Sequence, residues 1–297
     1  MRIFVFGSLN IDHTYQVPHL LRMGETLSSC AYSRNVGGKG FNQAVALSRA
    51  GCDVCFAGAI GEDGVFLDDY LKVCGVDTSG IRRTRKPTGH AIIQVDASGG
   101  NAILLFGGAN HCISDEMIEE TILRMQPGDW ILLQNEINDG ARVIRAAHEK
   151  GICIVLNPSP VSQQLKDWPL EMVSWLILNE VEGADLTGYV QPEKILDSLI
   201  ARYPHMRVVL TLGEQGAVYA DSGQRWMQSA FPCSVVDTTA AGDTFTGYFL
   251  HAAAAGEDIR QALRQAARAA AIAVSRSGAA ASIPVMEEIA CVLEKET

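Results

Sequence analysis

The chain has 297 residues, of which 47% are hydrophobic and 20% are charged, and its formal net charge is −10. This length is sufficient for one large α/β domain with additions or for two domains. The negative charge argues against a protein that binds nucleic acid through its phosphates, and no apolar run approaches the ~20 residues of a membrane span. The apolar start of the chain leads directly into Gly7 and polar residues, which favours a first strand over a signal peptide.

Short, continuously apolar runs recur along the chain and alternate with amphipathic segments. The runs are RIFVFG, DVCFAGAI, DWILLQ, ICIVLN, SWLILN and RVVLTLG. Continuous hydrophobicity is typical of strands that are covered on both faces, and helical patterns such as 114–125 and 140–151 lie between the runs. The alternation predicts a doubly wound α/β fold with a mostly parallel sheet and helices on both faces.

Two stretches, 13–35 and 81–107, interrupt this alternation. The first has no convincing helical pattern, and the second predicts a hairpin of strands 88–96 and 101–106 around the turn ASGG. We expect these insertions to form a small β-sheet over the C-terminal edge of the main sheet, as a lid; an edge sheet without a function is the alternative. The predicted α/β domain comprises 1–12, 36–80 and 108–297, and the predicted lid comprises 13–35 and 81–107.

Eight cysteines are scattered along the chain, and only Cys52 and Cys55 are close in sequence. They lie in a strand-like run, where positions three apart point to opposite faces, so we expect neither a shared metal nor a disulfide. This usage is typical of reduced thiols, and we expect a cytoplasmic protein.

Polar residues follow the predicted strands at the points where they end. They are Asn10 and Asp12, Asn135 and Glu136, Asn157, Asn179 and Glu182, and Thr211 with Gly213. In an open parallel sheet, ligands bind beyond the carboxyl ends of the strands. Each residue alone could be an ordinary cap or turn residue, but their repetition at one edge favours a polar binding crevice.

The segment GGKGFNQA, residues 37–44, is a glycine-rich helix start. Gly37 and Gly38 allow a ligand to approach the main chain closely, and Lys39 and Asn42 share one helical face. A lysine, an amide and bare backbone suit a ligand rich in hydroxyl groups. The segment is not a P-loop, because Gly40 follows Lys39; a helix start without a ligand is the alternative.

A second small-residue segment, DTTAAGDTF, precedes another helical pattern. Ala240, Ala241 and Gly242 leave backbone N–H groups unobstructed at a helix start, where a negative charge is favoured. Beside a bound phosphoryl group, Asp243 could accept the proton of an attacking hydroxyl while the amides hold the transferring oxygens. Asp237 is expected to hold a cation or to fix the loop; a plain capped helix is the alternative.

These motifs, in this order, resemble the ribokinase family of carbohydrate kinases over essentially the whole chain. The matching segments are GSLNID, GGKGFNQAVA, LLQNE, LNPSP, LILNEVE, TLGEQGA, DTTAAGDTF and AIAVSRSGAAASIP. The resemblance implies a ribokinase-like fold and transfer of the γ-phosphoryl group of ATP to a primary hydroxyl of a sugar, with Mg²⁺ and a monovalent cation such as K⁺. Ribose is the expected sugar; another sugar such as fructose, or a nucleoside, is the alternative within this chemistry, and a non-catalytic sugar-binding protein is a third hypothesis.

The resemblance also implies roles for individual residues. The residues that match sugar-binding positions are Asn10, Asp12, Gly38, Lys39, Asn42 and Glu136. Asp243 matches the catalytic base, which also contacts the sugar, beside an anion hole at Ala240, Ala241 and Gly242. The nucleotide positions are Thr211, Gly213, Gly216 and Gly242, while Asn179 and Glu182 match the pattern that organises Mg²⁺ and the phosphates. The monovalent-cation positions are Asp237, Thr239 (through its carbonyl), Ala273, Arg276, Gly278 and Ser282.

Two features depart from the family pattern. Ala267 stands where relatives often place an Asn or a His near the adenine, so nucleotide binding is expected to differ. The lid strands around Tyr15, Ala91 and Phe106 carry side chains that match no known sugar preference. The resemblance further implies that the lid serves as the interface of a homodimer.

Overall fold

A computed structural model describes residues 1–293, and side chains as far as Ile289; the side chain of Cys291 lies outside the described part. The strands are β1 (Ile3–Phe6), β2 (Asn10–Gln16), β3 (Ala31–Gly37), β4 (Val54–Ile60), β5 (Asp77–Arg83), β6 (Gly89–Val95), β7 (Asn101–Phe106), β8 (Trp130–Gln134), β9 (Cys153–Asn157), β10 (Trp175–Asn179), β11 (Arg207–Thr211), β12 (Ala217–Ala220) and β13 (Arg225–Gln228). The helices are α1 (Lys39–Arg49), α2 (Val65–Val73), α3 (Asp115–Arg124), α4 (Gly140–Glu149), α5 (Glu180–Thr187), α6 (Pro192–Arg202), α7 (Ala241–Ala254), α8 (Ile259–Val274) and α9 (Met286–Leu293).

The large sheet has nine strands in the order β13-β12-β11-β10-β9-β8-β1-β4-β5. All neighbours pair in parallel except β11 with β12 and β12 with β13, which are antiparallel. Two hydrophobic cores lie on its two faces: one packs α1, α7 and α8, and the other packs α3, α4 and α6. The predicted doubly wound, mostly parallel architecture is confirmed.

Helices α1 and α7 approach each other most closely at Gly247. A Cβ atom at this position would lie 2.4 Å from Cβ of Ala46 and 2.8 Å from the backbone nitrogen of Leu47. The close crossing brings Asn42 of α1 within hydrogen-bond distance of Asp243 on α7. The glycine therefore helps to assemble the site described below.

The small sheet has four strands in the order β3-β2-β6-β7, and it contains the predicted hairpin, β6 with β7. Its strands do not coincide with the predicted domain boundaries. β2 begins at Asn10 and β3 ends at Gly37, so both strands extend beyond 13–35. β5 continues to Arg83 in the large sheet, past the predicted lid start at residue 81. The division into domains, and the role of the small sheet as a lid, stay predictions.

Cys52 and Cys55 contact different neighbours, as their spacing predicts. The sulfur of Cys52 lies 3.4 Å from Nδ1 of His251, and the sulfur of Cys55 lies 3.7 Å from a carboxylate oxygen of Asp77. Within residues 1–293, no helix combines the length and the apolar character needed to traverse a bilayer.

Candidate active site

Asp243 lies in the first turn of α7 and is only 8% exposed. Its Oδ2 accepts a hydrogen bond from Nδ2 of Asn42 at 3.1 Å, and its Oδ1 accepts one from Nε2 of Gln43 at 2.9 Å. Both donors belong to α1. The carboxylate is therefore held in a defined orientation by the helix that crosses α7 at Gly247.

The N-terminus of α7 is shaped by Ala240, which has a left-handed backbone conformation with φ of 61°. A residue with a side chain adopts this conformation rarely, and such strain is common at functional sites. The Ala241 amide donates a hydrogen bond to the carbonyl of Thr238 at 3.2 Å. This amide is therefore not free, although the sequence predicted that it would be. Within residues 1–293, the amides of Gly242 and Asp243 have no acceptor, and the space beside Gly242 is open. These two amides can hold an anion.

Lys39 begins α1 directly after Gly38, whose φ of 97° suits glycine. The Lys39 amide donates to Oε2 of Glu136 at 3.2 Å, and the same oxygen accepts a bond from the Ser8 hydroxyl. Burial disfavours the charged ammonium of Lys39, but the attraction of three carboxylates outweighs it and raises its pKa. These carboxylates belong to Asp243, Glu136 and Glu182. Lys39 is therefore a fixed positive charge among acidic groups.

Asn10 and Asp12 lie on β2 of the small sheet, beside this cluster. Oδ1 of Asn10 accepts from Nδ2 of Asn110 at 2.8 Å, which leaves the Asn10 amide nitrogen available to a ligand. Burial, and then repulsion by Glu136, raise the pKa of Asp12 to about 7. A Cβ atom on Gly38 would lie 3.0 Å from the backbone nitrogen of Asn10. The structure thus brings together all the predicted sugar-binding residues: Asn10, Asp12, Gly38, Lys39, Asn42, Glu136 and Asp243.

A cavity of about 730 Å³ opens at the same end of α7. Its lining includes four predicted nucleotide positions: Thr211, Gly213, Gly216 and Gly242. Ala267 of α8 also lines it, as the sequence comparison with the family suggested, and the loop around Phe231 forms another part of the wall. Gly242 faces this cavity while Asp243 faces the polar cluster, so one helix mouth lies between the two sites.

Asn179 and Glu182 form a reciprocal cap at the start of α5. Oδ1 of Asn179 accepts from the Glu182 amide at 2.9 Å, and Oε2 of Glu182 accepts from the Asn179 amide at 3.0 Å. The Ser159 hydroxyl donates to the other oxygen of Glu182. Asn179 pairs with Thr211 across β10 and β11, so the cap lies next to the cavity although Asn179 does not line it.

Mg²⁺ usually binds proteins through one or two carboxylates, together with waters and phosphate oxygens. Among residues with described side chains, no group of three or more His, Cys, Asp or Glu residues is placed to hold a metal. Glu182 is 9% exposed and close enough to interact with Lys39. A single buried carboxylate next to the cavity fits the small number of protein ligands that Mg²⁺ requires.

Asp237 connects the loop before α7 to the segment after α8. One carboxylate oxygen accepts from the amide and the hydroxyl of Thr239, at 2.9 and 2.6 Å, and the other accepts from the Gly278 amide at 3.0 Å. The Arg276 side chain instead pairs with Glu288, so only its carbonyl could serve a cation. In the described part of the chain, the other predicted cation positions form no hydrogen bond with Asp237, Thr239 or Gly278; they are Ala273, Arg276 and Ser282.

The sequence did not single out several buried polar residues that support the site. Gln43 contacts Asp243, and Nε2 of Gln134 donates to Oε1 of Gln43 at 2.7 Å. Asn110 orients Asn10, and Ser159 orients Glu182. Gln43 follows Asn42 directly and Gln134 ends an apolar run, which is the only signal that the sequence offers for them.

The family model described as pfkB family carbohydrate kinase matches residues 1–286. The ribokinase of Haemophilus influenzae is 35% identical over 293 residues, which cover 96% of this chain and 95% of that protein. The ribokinase from Cryptococcus neoformans in complex with ADP has a TM-score of 0.87 at 33% identity, covering 98% of this chain and 99% of that chain. Arabidopsis thaliana ribokinase complexed with ribose and ATP has a TM-score of 0.86 at 32% identity, covering 99% and 98%.

These similarities confirm both the resemblance and the ribokinase-like fold that the sequence predicts. Relatives at this identity match nearly the full length of the chain, and the polar cluster and the cavity lie within the matched residues. The expected enzyme class, a phosphotransferase with an alcohol group as acceptor, follows from the family. The chain belongs to the pfkB family of carbohydrate kinases.

Proposed function

We propose that this chain transfers the γ-phosphoryl group of ATP to the primary hydroxyl of ribose, giving ribose 5-phosphate and ADP. One observation carries the proposal: Asp243 lies at a helix mouth between a cluster suited to hydroxyl groups and a cavity lined by the predicted nucleotide positions. The Arabidopsis thaliana ribokinase, solved with ribose and ATP, supports this choice of substrates.

The residues of the site can serve each step of the phosphoryl transfer. The sugar oxygen forms a bond to the γ-phosphorus, its proton passes to Asp243, and the bond from that phosphorus to the bridging oxygen of ADP breaks. The free amides of Gly242 and Asp243 hold the transferring oxygens, and Lys39 stabilises nearby negative charge. Glu182 would hold Mg²⁺, and this ion would supply neutralisation of the phosphate charge.

A substrate panel tests the proposal. D-ribose, 2-deoxy-D-ribose, D-fructose and adenosine would be compared by ADP release with ATP, Mg²⁺ and K⁺ present, and we expect the highest kcat/KM for ribose. A higher value for fructose or adenosine would reassign the acceptor. Sugar binding without ADP release from any acceptor would favour the non-catalytic hypothesis.

Ribose binding should depend on pH through Asp12, whose pKa of about 7 lies above its ordinary value. This raised value stabilises the free protein at low pH, and the contribution is lost as the pH rises through 7. Sugar hydroxyls favour the ionised carboxylate, so binding should release a proton. We expect affinity about tenfold weaker at pH 6 than at pH 8.

Calorimetry in buffers of different ionisation enthalpy would measure the number of protons that are released when ribose binds. We expect nearly one proton released at pH 6 and almost none at pH 8. Glu136, whose burial also raises its pKa, faces the same ligand. The variant Asp12→Asn therefore shows which of the two carboxyl groups releases the proton. Equal proton release by that variant and the wild type would remove Asp12 from this role.

A monovalent cation should activate the enzyme through the loop that Asp237 organises. Asp237 and Thr239 belong to the loop directly before the anion-binding amides, and the Gly278 amide donates to Asp237 from the segment after α8. A cation bound there would order that loop. Replacing tetramethylammonium by K⁺ at constant ionic strength should raise kcat. Asp237→Ala should lose this response, whereas a rate that is indifferent to K⁺ in the wild type would rule out a functional cation site.

We also propose a homodimer through the small sheet. Its edge strand β7 exposes four consecutive apolar residues, Ile103, Leu104, Leu105 and Phe106, at 49–67%, and an apolar edge of this size is typical of an interface. Light scattering should give about twice the 32.0 kDa chain mass. The double variant Leu104→Glu/Phe106→Glu should be monomeric, whereas Val73→Glu, at an 89% exposed position on α2, should not change the mass. A monomeric wild type would contradict the proposal.

The state of the cysteine side chains supports a proposal about the cellular compartment of the protein. Seven cysteines in the described part of the chain are free, and burial, then repulsion by Asp53, raise the pKa of Cys52 to about 12. Free thiols suit a reducing environment, so we propose a cytoplasmic enzyme. Kinase activity confined to the cytosolic fraction would support this location, and activity in a secreted fraction would contradict it.

A further inference from the structure

We infer that Gln43, itself held by Gln134, is a positioning residue that fixes the Asp243 carboxylate for proton abstraction. The inference rests on the proposed function, because it takes Asp243 as the group that accepts the proton. It concerns a side chain that contacts neither the sugar-binding residues Asn10 and Asp12 nor the cavity.

Gln43 is fully buried on α1, and every polar group of its amide has a partner. Its Nε2 donates to Oδ1 of Asp243 at 2.9 Å and to Oδ1 of Asn157 at 3.1 Å. Its Oε1 accepts from Nε2 of Gln134, which is also fully buried, at 2.7 Å. The three bonds connect α1, α7 and the ends of β8 and β9.

Only one orientation of the Gln43 amide satisfies these neighbours. A rotation by half a turn would place its oxygen against two acceptor oxygens, those of Asp243 and Asn157, and its nitrogen against the nitrogen of Gln134. Asn157 cannot turn to compensate, because its Nδ2 already donates to the carbonyl of Ile177 at 2.8 Å. A buried chain of this kind is rigid, since each misplaced group would stay unsatisfied.

The carboxylate is therefore clamped from two sides. Asn42 holds Oδ2, but Asn42 also belongs to the proposed sugar-binding cluster and can be drawn toward a ligand. Gln43 holds Oδ1 and depends only on protein partners. It thus keeps Asp243 in place while the sugar enters and leaves.

The test measures kcat against pH for Gln43→Leu and Gln43→Glu. Leucine removes a donor to the Asp243 carboxyl group, so kcat at pH 7 should fall on the order of 10- to 100-fold with little change in KM for ribose. Glutamate places a second buried carboxylate beside Asp243, and two such groups share one proton. Its acid limb should move to higher pH by at least about one unit, beyond any shift caused by leucine. Other charges near Asp243 come from Lys39 and Glu136, and both are unchanged in these variants.

Two further variants complete the design. Ser48→Ala removes a hydrogen bond from the same helix to the Cys74 carbonyl, away from the site, and should keep the wild-type pH profile. Gln134→Leu removes the hydrogen bond to the Gln43 amide without changing a partner of Asp243, and it should lower kcat by less than Gln43→Leu does. This variant also replaces Gln43→Leu in the test if Gln43→Leu does not fold. A kcat that falls equally at every pH, with an unmoved acid limb in Gln43→Glu, would overturn the inference.

The outcomes also separate the inference from the proposed function. Wild-type turnover in Asp243→Asn would remove the base and with it the proposed mechanism. An inactive Asp243→Asn combined with wild-type profiles for both Gln43 variants would overturn only the positioning role. A loss of kcat in both variants, with an acid limb that moves further toward high pH in Gln43→Glu than in Gln43→Leu, would support it.

Discussion

Replacing Asp243 by Asn should lower kcat by about 10²- to 10⁴-fold. An amide cannot accept the proton of the attacking hydroxyl, so the transfer would lose its base. The sugar-binding groups stay in place, so the dissociation constant for ribose should change little. Gln43 and Asn42 both donate hydrogen bonds to the Asp243 carboxylate. In the variant, the amide nitrogen at position 243 would face one of these two donors, so one hydrogen bond is lost. Single-turnover kinetics with calorimetric binding of ribose would separate these effects.

Asp68→Asn is a matched control for this change. Asp68 is also buried, at 8% exposure, but it lies on α2 and pairs with Lys72 at 2.9 Å. Neutralising it should leave kcat near the wild-type value. If Asp243→Asn also turned over near the wild-type rate, Asp243 could not be the base.

The second large effect is expected from Lys39→Met. The substitution keeps a long side chain but removes the positive charge of Lys39, whose pKa is raised by attraction to Asp243, Glu136 and Glu182. Breaking a buried ion cluster in this way typically costs about 3–5 kcal/mol of folding stability. Because the ammonium also stabilises negative charge that develops in the transition state, kcat/KM for ribose should fall by roughly 10²- to 10³-fold. Removing the cation should also raise the pKa of Glu136 further, because Lys39 now lowers it.

Initial rates over a range of pH, with thermal unfolding to verify the fold, would measure this effect. Lys72→Met is the surface control, since its side chain is 55% exposed and its pairs with Asp68 and Asp69 are screened by water. It should change kcat/KM by less than about twofold. A folded Lys39→Met enzyme with wild-type kcat/KM would show that the charge of Lys39 has no part in the reaction.

The large sheet was predictable because its central strands are continuously apolar, as in Trp175–Asn179. Such a pattern indicates a strand that is buried on both faces. β5 was not predictable in the same way. It is an edge strand with the polar sequence DTSGIRR and a mostly exposed surface, so the predicted lid began inside it. Asn10 was assigned to the α/β domain because it follows β1 closely in sequence, but β1 ends at Phe6 and the chain then enters the small sheet.

The chemical groups of the site were predictable from strand ends and small-residue helix starts, but their supports were not. Gln43 and Gln134 are 91 positions apart, and only the packing of α1 against β8 brings their amides together. The sequence likewise placed Ala241 in the anion hole, whereas closure of the turn directs its amide to Thr238. Contacts of this kind depend on tertiary packing, which local patterns do not encode.

The position of the phosphoryl group on the product tests the central claim most directly. Ribose, ATP and the enzyme would be incubated with Mg²⁺ and K⁺, and ¹H–³¹P correlation NMR of the product would identify the protons that couple to phosphorus through three bonds. We predict coupling to the two protons on C5, because Asp243 at the mouth of α7 serves a primary hydroxyl. Three-bond coupling to the single proton of another carbon, or no phosphorylated sugar at all, would contradict the account.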